Sequence, residues 1–183
     1  MGNDKSNINV QGQAAREQGF RALFDQYYTP LCVFALKYID AFDEVEDIVQ
    51  EVFIQFWDKQ RGNYHISNVK GYLFTAVKNN ALNHLRRSNK YQLEVLDEQF
   101  ERIDEEYENP AAMERKKQQL YREVDKLSPQ SKTVFERIVF ENMKYKEVAN
   151  ELGVSVNTVK TTFSRSLKRL RSSIDLIVYL LMV

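Results

Sequence analysis

Residues 145–171 read YKEVANELGVSVNTVKTTFSRSLKRLR, and this stretch decides the fold of the carboxy-terminal half. Two helices that cross at a tight turn need a small residue at the crossing, a glycine able to turn left-handed after the first helix, and a cap for the second. Ala149, Gly153 and Ser155 meet those demands in order. Val148, Leu152, Val154, Val159, Phe163, Leu167 and Leu170 then fall inside. Asn157, Lys160, Thr161, Ser164, Arg165 and Lys168 are left outward on the second helix. Amides, hydroxyls and long cations are what a helix needs to meet base edges and phosphates in a major groove. The plainer alternative is a helical hairpin with a basic, solvated face.

Working outward, Ser128-Pro129 reads as an N-cap followed by proline in the first turn, starting a helix through Val134, Phe135, Ile138 and Val139. A helix around Glu114 to Lys126 precedes it. Nearer the amino terminus, Phe42, Val45, Ile48, Val49, Val52, Phe53, Phe56 and Trp57 recur at helical spacing. A further helix is expected from Val69 to Arg87, with Tyr72, Leu73, Ala76, Val77, Ala81 and Leu85 inward. Phe20, Leu23, Phe24 and Tyr27 form another apolar stripe, and Thr29-Pro30 is expected to cap and restart a helix through Leu31, Phe34, Ala35 and Tyr38. With only 6 Gly and 3 Pro in 183 residues, turns are too few for an all-β fold. The fold class is therefore all-α: two small helical domains joined by an acidic flexible linker, the second ending in a helix-turn-helix. The expected divisions are a loose arm over 1–18, a first domain over 19–91, a linker over 92–111, a helix-turn-helix domain over 112–173 and an apolar tail over 174–183.

The formal net charge is zero, with 26 basic and 26 acidic residues, which argues against a protein that coats nucleic acid indiscriminately. The balance conceals segregation. Asp40 to Asp58 holds seven acids and no base, whereas Lys59 to Lys90 holds seven bases and no acid. From Tyr91 to Pro110 eight acids face Arg102 alone, and from Ala111 to Arg171 there are fourteen bases against seven acids. Such blocks suit different partners for different segments.

Asp47, Gln50 and Glu51 stand at i, i+3 and i+4 and so share one helix face, which reads either as a solvated acidic surface or as a docking site. Lys78, Asn79, Asn80, Asn83, His84, Arg86 and Arg87 crowd the next helix beside Tyr72 and Phe74. Aromatics among cations and amides suit unstacked bases, although surface charge alone explains the pattern equally well.

Taken together, these segments resemble the extracytoplasmic-function (ECF) sigma factors, the two-domain promoter-recognition subunits of bacterial RNA polymerase. The resemblance rests on Asp47-Ile-Val-Gln-Glu-Val-Phe53 with Trp57, and on Lys70-Gly-Tyr-Leu-Phe74 through Asn79, Asn83 and Arg86-Arg87. It rests equally on Leu127-Ser-Pro and on Tyr145 through Lys160. It implies core RNA polymerase as partner, with Asp47, Gln50 and Glu51 on the β′ clamp helices and the second domain near the β flap. It also implies minus-10 promoter DNA on Lys78, Asn79, Asn83, Arg86 and Arg87, and minus-35 DNA on Asn157, Lys160, Thr161, Ser164, Arg165 and Lys168. An anti-sigma factor is the implied regulator, and the acidic linker would thread the polymerase's positively charged nucleic-acid channel. Two positions depart from the family pattern. Asn83 stands where Asp is usual, and Lys144 stands where a small polar cap commonly precedes the tyrosine.

Other function classes fit poorly. No catalytic residue, cofactor or metal is expected, because neither His65 nor His84 has a carboxylate three or four residues away and no glycine-rich phosphate loop is present. Cys32 stands alone, without a disulfide partner. The polar start lacks a secretory apolar core, and Gly2 with Ser6 matches myristoylation only as a short chance pattern. The apolar end from Leu176 to Val183 is far short of the roughly 20 residues of a membrane span, so a cytoplasmic protein that is not membrane-embedded is expected. Its expected role is to pack on the second domain or to meet a regulator.

Overall fold

The computed structural model describes residues 4–61, 66–87 and 110–182. Three helices make the first domain: α1 (Asp4–Ala35), α2 (Phe42–Arg61) and α3 (Val69–Arg87). Aromatic rings join them. Phe20 and Phe24 of α1 meet Phe53 of α2 at centroid distances of 6.0 and 4.7 Å, and Phe34 meets Phe74 of α3 at 5.2 Å. Phe56 and Tyr72 close the third side at 5.8 Å. Each apolar stripe expected from α2 and α3 is buried or half-buried, so their outer faces keep the charge. Asp43 and Glu44 in the first turn of α2, and His84, Arg86 and Arg87 in the last turn of α3, match the helix dipoles. At the start of α3 the Asn68 side chain accepts the Gly71 N–H at 2.8 Å, and a Cβ on residue 71 would lie 2.8 Å from Asn68 Nδ2. A larger residue there would make the Asn68 side chain shift.

The second domain comprises α4 (Pro110–Val124), α5 (Pro129–Val139), α6 (Tyr145–Leu152) and α7 (Val156–Arg169). A 3-10 turn over Arg171–Ser173 leads to α8 (Ile174–Met182). Phe135 lies at the centre, 5.7 Å from Phe140 and 6.0 Å from Phe163. Ser128 caps α5, its hydroxyl accepting the Ser131 N–H at 3.4 Å, with Pro129 in the first turn. Glu147 returns its carboxylate to the Lys144 N–H at 2.7 Å, so the start of α6 is closed from one side only.

Several expectations need correction. Residues 4–18 continue α1 as helix rather than forming a loose arm; Ala14, Ala15, Arg16, Glu17 and Gln18 are good helix formers, and extending an anchored helix costs little. Thr29-Pro30 does not restart a helix, because Pro30 lies inside α1. One hydrogen bond is lost at the proline, but the stripes on both sides bury against the same neighbours. The helix expected from Glu114 begins four residues earlier, at Pro110. Residues 62–65 and 88–109, which include nearly all of the expected linker, lie outside the described residues.

The tail packs along α1 of the first domain as well as on α5 of its own. Its apolar residues Ile174, Leu176, Ile177, Val178 and Leu181 are buried, and both domains share one continuous core. No helix among the described residues is long and apolar enough to cross a membrane.

Two glycines give a stability test with opposite signs. Gly153 sits at φ 65°, so Gly153→Ala should cost about 1 kcal/mol. Gly19 is an exposed helical residue with open space around it, so Gly19→Ala should gain about 0.5 to 1 kcal/mol. Urea denaturation of both variants measures the two effects.

Candidate nucleic-acid and polymerase interfaces

Three charged surfaces carry the candidate residues. On α2, Asp47, Gln50 and Glu51 are all exposed on one face, as their spacing demands. Glu51 accepts a hydrogen bond from Gln55 Nε2 at 3.1 Å. One turn further along this stripe stands Ile54, 61% exposed. Sequence reasoning passed over it; the signal was an aliphatic residue out of phase with the inward stripe of α2.

On α3, Asn79, Asn83, Arg86 and Arg87 are exposed and Lys78 is half-buried. Asn83, the departure from the usual Asp, accepts a hydrogen bond from Arg86 Nη1 at 3.3 Å. His84 Nε2 lies 3.1 Å from Glu44 Oε2 and ties α3 to α2. The aromatic part of the sequence reading fails for Phe74, which is 1% exposed and belongs to the core. Tyr72 is half-buried, with Lys59 Nζ 4.9 Å from its ring centroid.

On the helix-turn-helix, each local device is in place. The Gly153 N–H returns to Ala149 O while Gly153 itself is left-handed, and Ser155 Oγ accepts the Thr158 N–H at 3.0 Å. Asn157, Thr161, Arg165 and Lys168 are exposed on α7. Lys160 and Ser164 are not free. Lys160 Nζ pairs with Glu46 of α2 at 2.6 Å, and Ser164, one turn on along the same stripe, is buried. The expectation of an outward Ser164 is therefore corrected: α2 of the first domain lies against this side of α7. No pattern within residues 145–171 announces that contact, because its partner lies about a hundred residues away.

Around Glu46 the two domains bury a polar cluster. Tyr28 donates its hydroxyl to Glu46 Oε1 at 2.5 Å, beside the Lys160 ammonium. The Cys32 thiol is fully buried next to them, and burial pushes its pKa up, with the Glu46 charge adding to the effect. Tyr145 of α6 is buried beside Thr29 and Cys32, and its hydroxyl lacks a hydrogen bond of normal geometry. Burial raises the pKa of Tyr145 and of Tyr28 well above the ordinary tyrosine value. Tyr38, further along α1, is pushed up to about 12, by burial first and the Asp175 carboxylate second.

A helix-turn-helix with cations and amides on its outer helix, carried behind a second helical domain, defines a DNA-reading transcription protein. The first domain matches "Sigma-70 region 2" over residues 23–91, and the second matches "Sigma-70, region 4" over residues 117–170. The chain belongs to the sigma-70 family, as an extracytoplasmic-function sigma factor. It is 28% identical to the ECF RNA polymerase sigma factor SigE of Mycolicibacterium smegmatis over 70% of this chain and 51% of that one, so the match spans about half of SigE's length. It is 24% identical to the RNA polymerase sigma factor YlaC of Bacillus subtilis over 82% of this chain and 89% of that one. A solved structure of the sigma factor RpoE in complex with the anti-sigma factor NepR, from Bartonella quintana, is 20% identical. It covers 85% of this chain and 96% of its own at a TM-score of 0.35.

The raised tyrosines fix a sign for the pH dependence. Tyr28, Tyr38 and Tyr145 keep their protons in the folded chain above pH 10, where the unfolded chain releases them, so their contribution is complete below about pH 10 and falls as pH rises through 10 to 12. Urea midpoints should decline over that range, and absorbance near 295 nm should show tyrosinate appearing together with the loss of structure.

Proposed function

We propose that this chain binds core RNA polymerase and directs it to specific promoters, working in the cytoplasm where polymerase and DNA meet. Asp47, Gln50 and Glu51 dock on the β′ clamp helices. The segment from Gly62 to Arg87 opens and reads the minus-10 element, with Asn79 and Asn83 toward bases and Arg86 and Arg87 toward phosphates; Lys78 assists. Helix α7 reads the minus-35 element through its exposed Asn157, Thr161, Arg165 and Lys168, and through Lys160 and Ser164 once the first domain leaves them, with the second domain seated near the β flap. The chain itself supplies recognition and strand-opening free energy, while the chemistry of RNA synthesis stays with the polymerase. An anti-sigma factor is the regulator that suits this reading.

The observation that carries the reading is the order of the surfaces along the chain. An exposed acidic face, an exposed basic face and a capped recognition helix follow one another on matched family segments. Their charges suit, in turn, a cationic protein surface, opened DNA and duplex DNA.

Replacing Gln50 and Glu51 together by Ala should weaken core-polymerase binding at least about tenfold with helicity retained, since both are exposed and Ala is a good helix former. Titration of the variant against core polymerase measures this; an unchanged affinity would overturn the docking assignment.

Labour on α7 should divide by distance from its capped end. In the holoenzyme, Arg165→Ala should relax promoter preference at one or two base pairs, each worth roughly 1 to 3 kcal/mol. Lys168→Ala should weaken all promoters alike and lower the salt slope by about one. A panel of single-base promoter variants at several salt concentrations separates the two, and the reverse pattern would rotate the assigned face.

A further inference from the structure

The last turns of α1 are buried on every side. Leu31, Cys32, Val33, Phe34, Ala35 and Leu36 are each at most 4% exposed, although a helix with one apolar face buries only about half of six consecutive residues. Helical phase places Leu31, Phe34 and Ala35 toward α2 and α3 and leaves Val33 and Leu36 on the opposite side, with Cys32 between, beside Tyr28, Glu46 and Lys160. The tail helix α8 packs on α1 and supplies the second wall.

Ion pairs ring this apolar seam, and each crosses between the domains. Lys37 Nζ meets Asp175 Oδ1 at 2.7 Å. Arg171 reaches Asp40 Oδ1 at 3.0 Å and the Lys37 carbonyl at 2.8 Å. Lys144 Nζ meets Asp25 Oδ2 at 2.6 Å, and Lys160 Nζ meets Glu46 Oε1 at 2.6 Å. Two of these features lie outside the family pattern. The tail begins after residue 170, where the region 4 match ends, and Lys144 replaces the usual small cap. Lys144 gives α6 no side-chain cap and spends its ammonium on the other domain instead.

The closed seam has an unequal effect on the functional faces. Asp47, Gln50 and Glu51 stay exposed, so the docking face is available. Lys160 is neutralised and Ser164 covered, and the acidic helix α2 stands beside α7 where a phosphate backbone would have to approach.

We propose that residues 171–182 are an intramolecular clamp: α8 and Arg171 hold the second domain on α1, keep the free sigma factor closed, and withhold Lys160 and Ser164 from DNA until the domains part. This rests on the assignment of α7 as the DNA-reading helix, and the test separates the two. Cys32, the chain's single cysteine, lies in the seam and reports opening through its reaction with a disulfide reagent such as DTNB.

Three full-domain variants are compared with the native chain: one ending at Ser173, Glu46→Lys, and the swap Glu46→Lys with Lys160→Glu. The first two should raise the thiol rate at least about tenfold with little loss of helicity, and the swap should return it to within about threefold of native. If the truncated chain loses helicity, the Glu46→Lys and swap pair decides. In the absence of polymerase, the chain ending at Ser173 should also bind a promoter duplex about tenfold more tightly than the native chain does, with a smaller gain on scrambled sequence. A thiol equally protected in the native, truncated and Glu46→Lys chains overturns the clamp, and leaves the proposed function standing if the native chain still directs transcription. Fast thiol reaction without any gain in DNA binding supports the clamp and counts against the assignment of α7.

Discussion

Between Pro30 and Leu36 the chain runs through seven buried positions in a row, and most of the molecule is arranged around that run. A helix placed at the edge of a bundle shows one face to water; this one has α2 and α3 on one side and α8 on the other. The two domains therefore share a helix that belongs in sequence to the first. Its interior proline follows from the same constraint. With apolar neighbours on both sides, breaking the helix at Pro30 would expose more surface than one missing hydrogen bond is worth.

Charge segregation acts on a different scale from this core. The acids of α2 lie within one helix of the bases of α3, and His84 couples to Glu44 across them. Asp43, Asp47, Glu51 and Asp58 on α2 and Arg86 and Arg87 on α3 stay exposed, where water screens them and a partner can use them. The exception is Glu46, the acid of α2 that points toward α1 and α7 rather than outward, and it gathers the Tyr28 hydroxyl and the Lys160 ammonium. A carboxylate in that position suits the seam because it is satisfied from both domains at once. Parting the domains leaves it with Tyr28 and returns Lys160 to solvent.

What was legible in the sequence was what local spacing controls. The spans of α2, α3, α5, α6 and α7 follow from apolar periodicity and from caps at Ser128, Gly153 and Ser155, because those devices act within four residues of themselves. The shared face of Asp47, Gln50 and Glu51 followed for the same reason. What was not legible depended on contacts between distant segments. Ser164 reads as outward from helical phase alone, and is buried because a helix more than a hundred residues away in sequence covers it. Val33 and Leu36 fall outside the stripe of Leu31, Phe34 and Ala35, and nothing near them in sequence announces the tail helix that packs along α1. Phe74 was read only as an aromatic among cations and amides, and its packing against Phe34 of α1 places it in the core.

The seam between the domains combines a strong element with deliberately poor ones, and that combination bears on how it can be reversible. Apolar burial along α1 and α8 supplies most of the attraction, since it scales with area removed from water and needs no exact geometry. The surrounding ion pairs are mostly half-exposed, so they orient the domains more than they bind them. A contact built wholly of paired groups and close packing would open only with the unfolding of a domain. Here α8 is a nine-residue helix joined to α7 by a short 3-10 turn, and none of the ring contacts of Phe135 at the centre of the second domain involves it. The free energy to be overcome is that of the seam, and under the proposed function a partner supplies it only through surfaces that it binds better in the open chain than in the closed one.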